Sequence, residues 1–233
     1  MPIHLYHLLR RGSIPARVSA VLFGALLLLP TGAFGFVGFL SSAAGGVVGT
    51  GNWVHGGITT ISWEVYLNPD NTWHYSYEFT HPVGETSHFI LEVSDNFTLA
   101  DIFNAEGDFR NYELDDFGGG PSNPGMPGIM HGLKFDDASG TTTRFWFDSP
   151  RVPVWGDFYS KDGNAGDYGW NAAWNAGFTD LDTDPTDPAA NGSIAHHLLV
   201  PDSVVTAAPE PMSLLLFGGG LMAMAAVRKN RRR

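Results

Sequence analysis

Residues 72–80 read Thr-Trp-His-Tyr-Ser-Tyr-Glu-Phe-Thr. Trp73, Tyr75, Tyr77 and Phe79 alternate with His74, Ser76 and Glu78. In a strand this period of two sends the rings to one face and the polar groups to the other. Just upstream, Ile61, Trp63, Val65 and Leu67 alternate with Ser62, Glu64 and Tyr66. Between the two runs stands Asn68-Pro69-Asp70-Asn71. Such residues favour a tight turn through the fixed φ of proline and the short hydrogen-bonding side chains of Asn and Asp. The pattern predicts a β-hairpin with one apolar, ring-rich face and one wet face.

The same signals recur along the chain. Phe89, Leu91 and Val93 alternate with Ile90 and Glu92. Leu133 and Phe135 run into Asp136-Asp137-Ala138-Ser139-Gly140, and Thr142 to Asp148 follows, which predicts a second hairpin. Val152 to Tyr159 is a further predicted strand, placed at an edge or bulge by Pro153, and Ile194 to Val200 is the last. A short helix is expected near Leu99 to Phe103. Gly118 to Gly128 and Lys161 to Asn191 are expected as loops because of their glycine, proline and aspartate content. Many short strands with turns between them, and no long helical period, predict an all-β chain. Its expected form is an antiparallel β-sandwich or jelly-roll-like single domain.

Both ends depart from this pattern. Arg10, Arg11 and Arg17 precede an apolar run from Val18 to Leu29 that Pro30 closes, the charge and length pattern of a secretory signal peptide. Small residues permit cleavage after Ala33 (Thr31 at −3) or after Ala44 (Ser42 at −3). Continuation of the apolar run to Leu40 would instead make an uncleaved anchor. Towards the other end, Pro209-Glu210-Pro211 is followed by uncharged residues from Met212 to Val227, then by Arg228, Lys229, Arg231, Arg232 and Arg233. The run 212–227 makes about 24 Å of helix, and flanking cations can snorkel to complete a membrane span. Those cations read as a cytoplasmic stop. The two prolines hold the backbone around Glu210 extended.

This ending resembles the PEP-CTERM sorting signal of exported Gram-negative proteins. The resemblance rests on the Pro209-Glu210-Pro211 triplet, the Leu- and Gly-containing apolar run and the basic end. It implies export through the Sec translocon and transient inner-membrane anchoring. An exosortase-type membrane protease would then recognise the triplet and deliver the chain to the cell surface or extracellular matrix. The family context is biofilm and exopolysaccharide. The expected organisation is a signal peptide over 1–44, an ectodomain over 45–203, a linker over 204–208 and a sorting tail over 209–233 whose transmembrane helix spans 212–227.

Thirteen Lys and Arg stand against 24 Asp and Glu. Eight of those cations, but only one acid (Glu210), lie outside 45–208, so that stretch carries five cations and 23 acids, a formal charge of about −18. Such a surface does not suit nucleic acid, which requires basic patches. It suits divalent cations, or neutral sugars met by stacking. Asp180, Asp182, Asp184 and Asp187 alternate in the manner of calcium-loop oxygen ligands, although Pro185 stands where an EF-hand has its glycine, so Ca²⁺ is a candidate ligand and no cofactor is required. Trp170 and Trp174, with Asn171 and Asn175 adjacent, are candidate sugar-stacking residues, and an exopolysaccharide is a candidate partner. His74, Glu78, His81 and His88 match no standard zinc spacing, and His196 and His197 point to opposite faces of any strand. The chain has no cysteine, no nucleophile elbow and no phosphate loop. Asp115-Asp116 and Asp136-Asp137 would serve a glycosidase only at a suitable separation. The expectation is a non-catalytic surface or matrix protein, with a carbohydrate-binding module, and then a polysaccharide hydrolase, as alternatives.

Overall fold

A computed structural model describes residues 35–166, 169–180 and 189–201. Among these the order is β1 (Gly35–Ser41), a 3-10 turn (Ser42–Ala44), β2 (Val47–Thr50), the single-turn α1 (Asn52–His55), β3 (Thr60–Leu67), β4 (Trp73–Thr80) and β5 (His88–Glu92). A 3-10 turn (Leu99–Asp101), β6 (Phe103–Gly107), β7 (Asn111–Phe117), β8 (Met130–Asp136) and β9 (Thr142–Ser149) follow. The last elements are β10 (Pro153–Gly156), β11 (Phe158–Gly166), β12 (Gly169–Asn175) and β13 (Leu198–Pro201). The chain before Gly35, Asp182, Asp184, Asp187 and all that follows Pro201, including the Pro209-Glu210-Pro211 triplet and the run 212–227, lie outside the described residues.

The leading hairpin forms as the alternation predicts. β3 pairs with β4 in register from Thr60↔Thr80 to Leu67↔Trp73. Ile61, Trp63, Val65, Tyr75, Tyr77 and Phe79 are buried. Asn71 takes a positive φ of 67° at the turn, a conformation Asn tolerates better than most residues. The hairpin sits within a five-stranded sheet of order β1-β3-β4-β9-β6. A six-stranded sheet runs β2-β12-β11-β5-β8-β7, and β10 and β13 form a two-stranded ribbon. Every pair is antiparallel. The fold is all-β and sandwich-like, because rings from the two larger sheets meet in one interior. Phe135 and Phe145 lie 4.3 Å apart, Phe89 and Phe145 5.0 Å, and Phe79 and Phe158 5.8 Å. Tilted and edge contacts of this kind add to what ring burial alone contributes.

Several local expectations change. β8 and β9 are strands but not a hairpin: β8 lies between β5 and β7, and β9 between β4 and β6. Residues 137–141 therefore carry the chain from one sheet to the other, and Phe135 meets Phe145 across the interior. Turn chemistry cannot tell a hairpin from such an arch; the neighbours that satisfy each strand's hydrogen bonds decide. The stretch Val152–Tyr159 splits at Asp157 into β10 and β11, and Pro153 opens β10, whose partner is β13. Of Ile194–Val200 only the end is strand, and Ala195 and His196 adopt positive φ of 49° and 64° in the turn before it. The expected loop 161–191 contains most of β11 and all of β12, paired antiparallel with a register shift between Lys161 and Ala165. Gly163 falls at the shift and Gly166 and Gly169 at the hairpin end, where Gly169 takes a φ of 93°. The short helix near residue 99 is a 3-10 turn closed by a capping box between Thr98 and Asp101. Strand β1 lies ahead of residue 45, where the ectodomain was expected to begin.

Candidate functional site

The outer face of the five-stranded sheet carries the side chains that alternate with the core. Strand register aligns Val37, Glu64, Ser76, Trp146 and Glu106 in one row across it, and Phe39, Ser62, Glu78 and Arg144 in the next. Ser62 and Ser76 are short and stand on the two adjacent strands β3 and β4. Taller residues surround them, so a groove of about 900 Å³ opens, lined on its sides by Val37, Phe39, Glu64, Glu78, Arg144 and Trp146. A second depression of about 700 Å³ shares Arg144 and Trp146 and is bounded by Glu106, Asp108 and Arg110. From β1 to β6 there are four inter-strand spacings, or roughly 19 Å. Trp146 thus stands on the boundary between two hollows that together cross the sheet.

The groove holds its polar groups in fixed pairs. Arg144 Nε donates to Glu78 Oε2 at 2.7 Å, and the Arg144 backbone N–H donates to Asp108 Oδ2 at 3.0 Å. One row further along the strands, His74 Nδ1 lies 2.8 Å from Asp148 Oδ1 and its ring stacks on Tyr66 at 4.8 Å. Burial acts to raise the Asp148 pKa, but donors from Asn104, His74 and Asn68 outweigh it and hold the group below the usual carboxylate range. At the β1 side, Val37 N–H donates to Asn191 Oδ1 at 3.1 Å and Gly192 N–H donates to Val37 O at 2.7 Å, which fixes the rim. Gly38 permits this approach: a Cβ there would stand 2.2 Å from Trp63 Cζ2 and 2.6 Å from Gly192 O. The exposed apolar surface at this rim is Phe39, at 67% exposure, and Val37, at 51%. Chemically the face offers a ring for stacking, apolar rim groups, two serine hydroxyls and several carboxylate acceptors.

The tryptophans singled out in the sequence lie elsewhere. Trp170, Ala172 and Trp174 share the outer side of β12 in the six-stranded sheet. Trp170 is 41% exposed, with Lys161 Nζ 5.5 Å from its ring centre. Trp174 is half-buried, stacks on Tyr159 at 6.4 Å, and faces Gly125, whose Cβ position is 3.5 Å from the indole. Asn171 and Asn175 do not flank the rings as expected, because strand alternation sends them to the opposite side. There Asn171 Oδ1 accepts from Asn52 N at 2.7 Å, and Asn175 Oδ1 accepts from Phe158 N at 3.0 Å.

The Gly/Pro-rich segment from 118 to 129 covers part of that outer face. Tyr159 Oη donates to Pro124 O at 2.9 Å, His88 Nε2 meets Asn123 Oδ1 at 2.9 Å, and Met126 is buried in a small cluster with Ile90, Met130, Tyr159, Ala172 and Phe178. Burial drives the His88 pKa down to about 3, Lys161 and Lys134 add to the effect, and the Asn123 bond opposes it.

Other candidates are dispersed. Asp180 is exposed, and its three expected calcium partners lie outside the described residues. Among the described residues no group of three or more His, Asp or Glu is placed to hold a metal ion. His81 is held between Val83 O and Thr86 Oγ1 and stacks on Trp53, far in role from the Glu78–Arg144 pair. Asp116 pairs with His131 at 2.7 Å and Asp136 with Lys134 at 3.3 Å, so neither Asp-Asp dipeptide presents two free facing carboxylates. Buried Asp157 accepts from Asn175 at 2.5 Å and meets His197 Nδ1 at 2.8 Å, tying β12 to the approach of β13. Trp146, Val37 and Phe39 escaped the sequence reading. The wet side of the leading hairpin was legible, but nothing local says that β1 and β9 flank it. No protein-family model matches the chain, and neither does any curated protein or solved structure.

Proposed function

We propose that the chain is an exported surface or extracellular-matrix protein whose β-sandwich holds a polysaccharide strand on the outer face of its five-stranded sheet, without transforming it. The observation that carries the binding reading is the groove with Trp146 on its boundary, small serines on its floor and hydrogen-bonding carboxylates beside them. A sugar ring stacks by its C–H face on an indole, and its hydroxyls pair with carboxylates and serines. Delivery rests on the signal-peptide pattern and on the resemblance of Pro209-Glu210-Pro211, the run 212–227 and the cations Arg228 to Arg233 to a sorting tail. On this reading the Sec translocon and an exosortase-type protease are the partners in transit, and the surface or matrix is the destination.

Electrophoresis through gels with embedded matrix polysaccharide tests the binding reading. Retardation that weakens about tenfold in Trp146→Ala is the expected result, since one stacked ring is worth about 1.4 kcal/mol. Equal mobility with and without polysaccharide would remove the reading. The hydrolase alternative draws on Glu64 and Glu78, which line the same groove from adjacent strands. The ion pair that Glu78 makes with Arg144 favours a binding role. Release of reducing ends that disappears in Glu64→Gln would instead favour hydrolysis.

A further inference from the structure

We infer that the signal peptide is removed ahead of Gly35, after Ala33 and not after Ala44, so that the mature chain opens directly into β1 and keeps the groove complete. The inference rests on the export reading above. What it adds is the processing site and its consequence for the site.

The two small-residue positions differ in what they leave behind. A cut after Ala33 leaves β1 whole, whereas a cut after Ala44 deletes it. All seven residues of β1 pair with β3, from Gly35↔Tyr66 to Ser41↔Thr60. Leu40 is buried at 5% exposure, and the Phe36 ring stacks on Trp73 at 6.2 Å. The bare backbone at Gly38 lies directly against the Trp63 indole, which is 4% exposed. The turn that follows is tied down as well: Ser42 N–H donates to Thr59 O at 2.9 Å, Thr59 N–H donates to Ser42 Oγ at 3.0 Å, and Gly46 N–H donates to Ser41 O at 3.0 Å.

Loss of residues 34–44 would leave the ladder groups along that edge of β3 unpaired and uncover the Trp63 indole. It would also remove Val37 and Phe39, one side of the groove, and undock Asn191 and Gly192 from the rim. Unpaired backbone groups and newly wet rings are both unfavourable. A cut after Ala33 disturbs none of these contacts. The apolar residues 35–40 are likewise accounted for as a strand, so they are not the continuation of an uncleaved anchor.

N-terminal sequencing of the full-length chain, recovered after export from a Gram-negative host, tests this. The expected first residue is Phe34, in the parent and in an Ala44→Leu variant, while Ala33→Leu should leave uncut precursor. A mature chain beginning at Gly45, in the parent or in Ala33→Leu, would overturn the assignment and leave the export reading standing. An intact Met1 terminus in the exported parent chain would overturn the assignment in favour of an uncleaved anchor, whereas failure of the chain to leave the cytoplasm would overturn the export reading.

Discussion

Acidification should weaken the fold through one histidine, and the size of the effect follows from its surroundings. His88 is buried beneath the 118–129 segment, where it meets Asn123, and burial together with Lys161 and Lys134 holds its pKa at about 3 against 6.5 when free. The folded chain therefore resists a proton that the unfolded chain accepts below pH 6.5. Stability from this source is complete above that pH, falls as the pH drops, and levels off only near pH 3. Each pH unit in that window is worth about 1.4 kcal/mol, so between pH 7 and 4 the loss amounts to about 3 kcal/mol. That is a large share of a stability that is typically 5–15 kcal/mol. Urea denaturation of the parent and of His88→Gln at pH 7, 5 and 4 isolates the term, because glutamine keeps a donor for Asn123 and does not titrate. The parent should lose about 3 kcal/mol more than the variant over this range. Parallel losses in the two proteins would refute the assignment of the acid sensitivity to His88.

Three other outcomes follow from the same structure and sequence. Phe135→Ala should cost about 3–5 kcal/mol in chemical denaturation, because that ring meets Phe145 of the facing sheet at 4.3 Å; a cost near zero would mean that the two sheets do not share one interior. Glu210→Ala should leave precursor in the inner membrane, read by fractionation and immunoblotting, whereas unchanged release would remove the sorting proposal. If Asp180, Asp182, Asp184 and Asp187 bind Ca²⁺, a hundredfold excess over Kd stabilises the fold by about 2.7 kcal/mol. The resulting rise in Tm should be specific to Ca²⁺ over Mg²⁺ and absent in the Asp182→Asn, Asp184→Asn double variant; equal shifts with both ions would indicate charge screening.

The parts of the fold that were legible in the sequence are those that local physics decides. Ring alternation over 73–79 and the turn at 68–71 specify a hairpin without help from the rest of the chain, and β3 and β4 form that hairpin. What escaped is what distant partners decide. Residues 136–141 have the composition of a hairpin turn, yet β5 and β7 claim one strand and β4 and β6 the other. Residues 161–175 look like a loop by glycine content, but β5 and β2 supply edges on which the strands complete a sheet. Strand β1 was hidden because Phe36, Val37, Phe39 and Leu40 continue the apolar character of the segment before them. The groove was half legible. Alternation alone puts Glu64, Ser76 and Glu78 on a wet face, but Trp146 joins them only through the β4–β9 register, which pairs it with Ser76.

The indole N–H resonances of the tryptophans, followed by NMR as an oligosaccharide of the bound polysaccharide is titrated in, test the central claim most directly. Trp146 should shift with saturation at a single Kd, while the half-buried Trp174 and the distant Trp170 stay in place. A shift confined to Trp170, or none at Trp146 while the sugar binds, would contradict a polysaccharide site on the five-stranded sheet.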